Sequence, residues 1–181
     1  MPSRTIIYIA LLVLLICWAV GAYNRLVRLK NVIASTFDQV DTQLKRRYDL
    51  IPNLVDSAQQ YLQHERHTLE VVISARNEAL AACEAVYSRP TNTRAVSALS
   101  RAEQTLDDSR ERLFILVEAY PELKADKTIQ ALRVELTSIE NQIAFARKAY
   151  NDAALDYNNA KSQFPVLMLA KLFSFASSAT L

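Results

Sequence analysis

The sequence predicts an all-α protein, with an N-terminal transmembrane helix followed by an antiparallel four-helix bundle. Three observations carry that prediction. Gly21 is the single glycine in 181 residues, whereas sheet-rich and α/β domains need glycine for turns, bulges and phosphate loops. Ala, Leu, Arg, Glu and Gln are plentiful, and all are good helix formers. Apolar residues make up 51% of the chain, enough for a packed core, and they recur at helical spacing.

The first element follows a short tail, residues 1–5. From Ile6 to Tyr23 the chain reads IIYIALLVLLICWAVGAY without a charge. As a helix this stretch spans about 27 Å, close to the hydrocarbon thickness of a bilayer. Trp18 and Tyr23 near its far end suit the aromatic belt at a membrane interface. Small residues at Ala19, Gly21 and Ala22 leave a signal-peptide reading open. Arg4 alone precedes the segment, while Arg25, Arg28 and Lys30 follow it. The positive-inside rule therefore places the C-terminal domain in the cytoplasm.

The bundle is expected over residues 24–165. Leu26, Leu29, Ile33, Phe37, Val40, Leu44, Tyr48, Ile51, Val55, Ala58 and Leu62 keep one helical phase. Pro52 sits inside this stripe, and a mid-helix proline costs about 3 kcal/mol. Asp49 is well placed to cap a new helix, so the expected break lies at Tyr48 to Ile51, with a second helix from about Leu50 to Tyr87. The alternative is one continuous helix with its turn at Gln63 to Thr68. The third helix is expected from Thr93 to Ala119, between Pro90 and Pro121. In the fourth, Ile129, Leu132, Leu136, Ile139, Ile143, Ala146, Tyr150, Ala153, Tyr157, Ala160 and Phe164 alternate steps of three and four. That heptad seam predicts a straight helix in left-handed packing, with Asp126 as its N-cap and Pro165 ending it. Residues 166–181 form an apolar tail with one charge, Lys171. The tail is too short for a second span and suits packing on the bundle end, an interfacial segment or a partner contact.

Composition excludes several function classes. Net charge is +2, from 21 basic and 19 acidic residues mixed along the chain, so no nucleic-acid partner is expected. Cys17 and Cys83 sit in different environments, which rules out a disulfide framework or thiolate metal site. Without a glycine-rich loop or a nucleophile beside a base, no enzyme activity, cofactor or small-molecule substrate is expected.

Several blocks of the chain resemble the LemA family. The match begins at Tyr23-Asn24 and centres on Gln43-Leu44-Lys45-Arg46-Arg47-Tyr48-Asp49-Leu50-Ile51-Pro52-Asn53-Leu54-Val55. It continues at His64-Glu65, Thr68-Leu69 and Ala75-Arg76, and resumes at Val117-Glu118-Ala119-Tyr120-Pro121-Glu122-Leu123-Lys124-Ala125. It closes with Glu140-Asn141, Ile143-Ala144, Ala146-Arg147, Tyr150-Asn151, Tyr157-Asn158 and Phe164-Pro165. Two positions depart from the family pattern: Phe37 stands where Trp is frequent, and Phe173-Ser174-Phe175 where Phe-Gly-Phe is frequent. The resemblance implies a helical bundle anchored in the bacterial cytoplasmic (inner) membrane by a single pass. It also implies association with other proteins, an HtpX-type membrane protease being one candidate partner.

Candidate chemistry is sparse. His64 and His67 stand three apart beside Glu65 and Glu70. They are weak metal candidates, since the zinc-protease pattern needs His-Glu-x-x-His and a third ligand is not evident. Glu118, Glu140 and Arg147 fall on the last two long helices, where an ion pair fixing helix register is expected. Arg46, Arg47, Asp49 and Asn53 crowd the expected break and are candidates for docking an acidic peptide or lipid headgroup. Phe173 and Phe175 are candidate partner contacts in the tail. Tyr87, Tyr120, Tyr150 and Tyr157 lie on core-phase positions and are expected to pack with a hydroxyl reaching a partner. The leading expectation is a non-catalytic scaffold or adaptor that self-associates or binds membrane proteins. The alternatives are a ligand or metal sensor serving a membrane metalloprotease, and a membrane-remodelling factor using the tail.

Overall fold

The computed structural model describes residues 2–181, with side chains from residue 6 onward. Met1 and the side chains of residues 2–5, Arg4 among them, lie outside the described residues. The order is α1 (Pro2–Gln59), α2 (Arg66–Ser88), α3 (Thr93–Ala119), α4 (Pro121–Lys124), α5 (Lys127–Ser162) and α6 (Val166–Leu172). No strand occurs among the described residues. The four long helices form an up-down-up-down bundle: α1 packs against both α2 and α5, and α3 packs against α2. α3 meets α5 through ionic side chains.

α1 is a single rod about 87 Å long. From Ile6 to Tyr23 it is apolar, largely exposed, and long enough to cross a membrane. A core helix of that composition would be buried, but Ile6 to Val20 touch nothing that shields them. Burial starts at Ala22 and Leu26 and then follows the predicted stripe from Ile33 to Ala58, closing with Leu62 in the turn. The expected break at Tyr48 to Ile51 does not occur. Pro52 lies inside the helix, the turn falls at residues 60–65, and Asp49 is an exposed helical residue rather than a cap. The apolar phase continues unbroken past the proline, and Ile51, Leu54, Val55 and Ala58 are all buried beyond it. At about 1.5–3 kcal/mol per buried aliphatic side chain, that burial outweighs the local proline cost.

The later elements match their sequence signals. The Asn92 side chain caps α3 by accepting from the backbone N–H groups of Arg94 and Ala95. Asp126 caps α5 in the same way, accepting from Thr128 and Ile129 at 2.8 and 3.1 Å. Pro121 starts α4 at the position where its missing N–H costs nothing. Every residue of the predicted α5 seam from Ile129 to Ala160 is buried. Contacts between α1 and α5 step in antiparallel register, from Phe37 against Tyr150, through Arg47 to Glu140, to Tyr61 near Asp126. Two expected core tyrosines face outward instead: Tyr87 and Tyr120 are exposed. Lys45 lies over the Tyr87 ring, 5.2 Å from its centroid, so that ring meets a cation at the surface rather than the core.

Candidate functional site

The bundle interior is mostly apolar, but at one level α1, α3 and α5 converge on a charged layer. Arg47 of α1 is buried at 1% exposure. It pairs with the equally buried Glu103 of α3 and donates to Asp107 and to Glu140 of α5, each at 3.1 Å. Glu103 also accepts from Arg147 of α5 at 2.7 Å and from the Tyr48 hydroxyl. Arg110 of α3 closes the layer with bonds to Glu140 at 2.6 Å and Asp107 at 3.3 Å. Three guanidinium groups therefore face three carboxylates, so the layer is neutral as a unit. Burying any one of these charges alone would cost several kcal/mol. Mutual pairing makes the layer tolerable and ties the rotational setting of α1, α3 and α5 together.

The titration behaviour fits this enclosure. Burial opposes the charge on Arg47, but Glu103, Asp107 and Glu140 outweigh it and hold the guanidinium protonated beyond its usual range. Burial and then Glu103 push the Tyr48 phenol up. Burial raises Asp107 above the usual carboxylate value against the pull of Arg47 and Arg110. Beside the layer, Asp41 accepts from Lys45 at 2.8 Å and from the Cys83 thiol at 3.3 Å. Burial and that thiol bond push Cys83 far up. A buried, protonated thiol is a poor nucleophile, and the Tyr48 hydroxyl is committed to a carboxylate. This arrangement holds the helices in register.

α2 joins the layer through Arg76, whose Nε donates to the backbone carbonyl of Tyr48 at 3.0 Å. In an uninterrupted helix that carbonyl accepts from the N–H four residues later. Here that residue is Pro52, which has no N–H. Arg76 thus satisfies the acceptor that the proline orphans, and it also reaches Asp49 at 3.8 Å. Two separated sequence blocks, the one around Pro52 and Ala75-Arg76, are parts of one device.

A second polar system holds the tail. Beyond α6 the chain runs back along the end of α5. Asn158 donates to the Ser178 carbonyl at 2.8 Å and accepts from the Ser178 N–H at 3.0 Å. One heptad earlier, Asn151 makes the same two-way pair with Leu181, at 2.9 and 2.8 Å. Their neighbour Tyr157 donates to the Ala176 carbonyl at 2.9 Å, and Tyr150 shares its one hydroxyl proton between the carbonyls of Pro90 at 2.9 Å and Ala179 at 3.3 Å. The repeated Tyr-Asn pair is a two-step ladder that holds the extended main chain. Ser174, at the bend into this segment, has φ 53°, a left-handed conformation that suits glycine best.

The structure separates the residues singled out from sequence. Arg46 and Asn53 are exposed on α1, and Asp49 is exposed near Arg76. Arg47 points inward, so the four do not form one docking cluster: Arg46, Asp49 and Asn53 follow helical spacing along one face, and Arg47 lies off it. His64 and His67 are exposed where the turn enters α2, and no group of three or more metal-ligating side chains occurs among the described residues. Phe173 and Phe175 both pack edge-on against Tyr23, with centroids 5.2 and 5.7 Å away. Phe173 stays half exposed, while Phe175 also packs on the core. Glu140 and Arg147 take part in register-fixing pairs as expected, though with Arg47, Arg110 and Glu103 rather than with each other. Glu118 does not join them. It is an exposed staple to Lys124 and Arg133 at 2.7 and 2.6 Å, and those bonds hold its carboxyl below the usual range. Sequence reading missed Glu103, Asp107, Arg110, Tyr48 as a donor, and Arg76. The signal for Glu103 was present: it occupies the core phase between Leu99 and Leu106.

A sequence model described as the LemA family matches residues 36–181. A curated relative, Protein LemA of Metamycoplasma hominis, is 26% identical over 140 residues, covering 77% of this chain and 59% of the relative. The chain thus spans about 59% of the length of the curated relative it matches. The family match takes in the charged layer, the Arg76 device and the tail ladder, and starts after the apolar stretch.

Proposed function

This chain belongs to the LemA family, and on that premise we propose that it is a membrane-anchored helical-bundle scaffold or adaptor. It would self-associate or bind other membrane proteins without catalysing a reaction. The observation that supports this reading most is α1 itself. One helix runs from an exposed apolar stretch into the bundle core without a break, so a membrane anchor and the domain it carries would move as one rigid body. The interior supports it too, because the buried charges are consumed by one another and only outer faces are free for recognition. On this reading residues 6–23 span the bacterial inner membrane once. The bundle (24–165) and tail (166–181) would lie on the cytoplasmic side, as Arg25, Arg28 and Lys30 favour.

Chemical crosslinking in native membranes followed by copurification tests the proposal, with a chain lacking residues 166–181 as control. Reproducible adducts between copies or with a membrane protein are the expected result. A strictly monomeric chain with no adduct counts against it. The sensor alternative, serving a membrane metalloprotease, rests on the exposed pair His64 and His67. Metal in the purified protein that disappears in the His64→Ala, His67→Ala double variant would favour it over a scaffold.

A further inference from the structure

Three stretches of chain meet where the apolar part of α1 enters the bundle: residues 24–31, the connection around residues 88–96, and residues 159–181. Their meeting is fixed by the Tyr23 contacts to Phe173 and Phe175, the Thr93 hydroxyl donating to the Ser177 carbonyl at 3.0 Å and the Tyr150 hydroxyl donating to Pro90 at 2.9 Å. None of the three stretches contains an aspartate or glutamate. They carry the exposed cations Arg25, Arg28, Lys30, Arg89, Arg94 and Lys171, and none of these is in an ion pair among the described residues. Lys30, Arg89 and Arg94 line one cleft of about 660 Å³. Overall net charge is only +2, so this end is a concentrated exception. Alongside it, α6 turns Ala170 to the bundle and leaves Met168 and Leu172 exposed at 66% and 75%, with Phe164 at 81% and Phe173 at 54% beside them.

We propose that this end of the bundle is a docking surface for an anionic bilayer. α6 lies in the interfacial plane with its outer face at the headgroup–acyl boundary, and the cations neutralise lipid phosphates. The inference rests on the membrane-anchoring reading above. Exposed apolar side chains ringed by unpaired cations are what such a surface needs. Its position follows from Tyr23, which ends the eighteen-residue apolar stretch and touches the tail directly. A second copy is a poor occupant, because it would bring the same cluster of unpaired cations and be repelled. The Tyr-Asn ladder has a purpose here: it ties down the chain after α6 and so holds the short helix against the bundle end.

The test uses the full chain in lipid nanodiscs, with a fluorophore on single cysteines in a Cys17→Ala background (Cys83 is fully buried). Lipids carrying a quencher near the headgroup report depth. Labels at Met168→Cys and Leu172→Cys are expected to be quenched at least about twofold more than one at Phe145→Cys, which is exposed on α5 away from this end. The effect is expected in phosphatidylglycerol discs. It should fall in phosphatidylcholine discs, in about 0.5 M salt, and in a Lys30→Gln, Arg89→Gln, Arg94→Gln variant. If Met168 and Leu172 report no more quenching than Phe145 while a deep-quencher lipid still quenches a Leu12→Cys label, the docking surface is refuted and the anchor stands. Loss of quenching at Leu12 as well overturns the anchor itself. Equal quenching in the two lipids removes the role of the cations.

Discussion

At the scale of the residue, the charged layer and the proline device make separate claims. Removing Arg47 leaves Glu103 buried with part of its partnership gone. Arg47→Met is expected to lower stability by about 3–5 kcal/mol in urea unfolding. A variant that also replaces Glu103 by leucine should recover only part of that loss: the buried carboxylate is gone, but Arg147 and the Tyr48 hydroxyl lose their acceptor with it. Arg76→Met leaves the Tyr48 carbonyl without a donor and should cost about 1–3 kcal/mol. In a Pro52→Ala background the residue at 52 supplies its own N–H, so the same change should cost roughly 1 kcal/mol less. Additive losses in that cycle would show that Arg76 acts through its packing or its charge instead. Arg47 illustrates what a linear reading can miss. Its neighbours Arg46 and Asp49 face solvent while it turns inward, and that difference is set by the helix phase and by Glu103, more than fifty residues away in sequence.

At the scale of the element, helix ends and the tail bend give the clearest expectations. Asp126 accepts from Ile129 and Thr128, and the bond from Ile129 is the first reason its carboxyl sits below the usual range. A depressed folded-state value stabilises the protein above the unfolded carboxylate value, and this stabilisation is lost as pH falls through the folded one. An Asp126→Asn variant keeps an acceptor at the cap. Its melting temperature should therefore fall less than that of the parent chain when pH drops below about 4. Ser174 adopts φ 53°, which costs a non-glycine residue about 1 kcal/mol. Ser174→Gly should raise stability by roughly 0.5–1 kcal/mol, against the small penalty of a more flexible unfolded chain. The third helix, the α5 seam, the Asp126 cap and the stop at Pro165 were legible because each rests on local spacing or capping chemistry. The course of α1 was not. The penalty of Pro52 is local and visible, whereas its relief by Arg76 comes from another helix.

At the scale of the whole molecule, the tail joins the end of α5 to the exit of the apolar stretch. Deleting residues 166–181 strips the tail partners from Asn151, Tyr157 and Asn158 and leaves Tyr150 with the Pro90 carbonyl alone. Stability should fall by roughly 2 kcal/mol, since several net hydrogen bonds are lost and some chain entropy is regained. Circular dichroism should still report a helical bundle, because the core stripes lie outside the tail. The sequence by itself determined the helical class, the apolar stretch, the number of long helices and the buried stripes of α1 and α5. Those follow from composition and from a period of 3.6, which any segment carries without reference to the rest. Only the tertiary structure decided that α1 continues through Pro52, that Arg47 and Glu103 meet at the centre, and that the tail folds back on the Tyr-Asn ladder. It likewise gathered cations from three separate stretches at one end of the bundle. Each of these depends on which residues from distant segments are brought within bonding distance, and spacing along one helix holds no information about its neighbours.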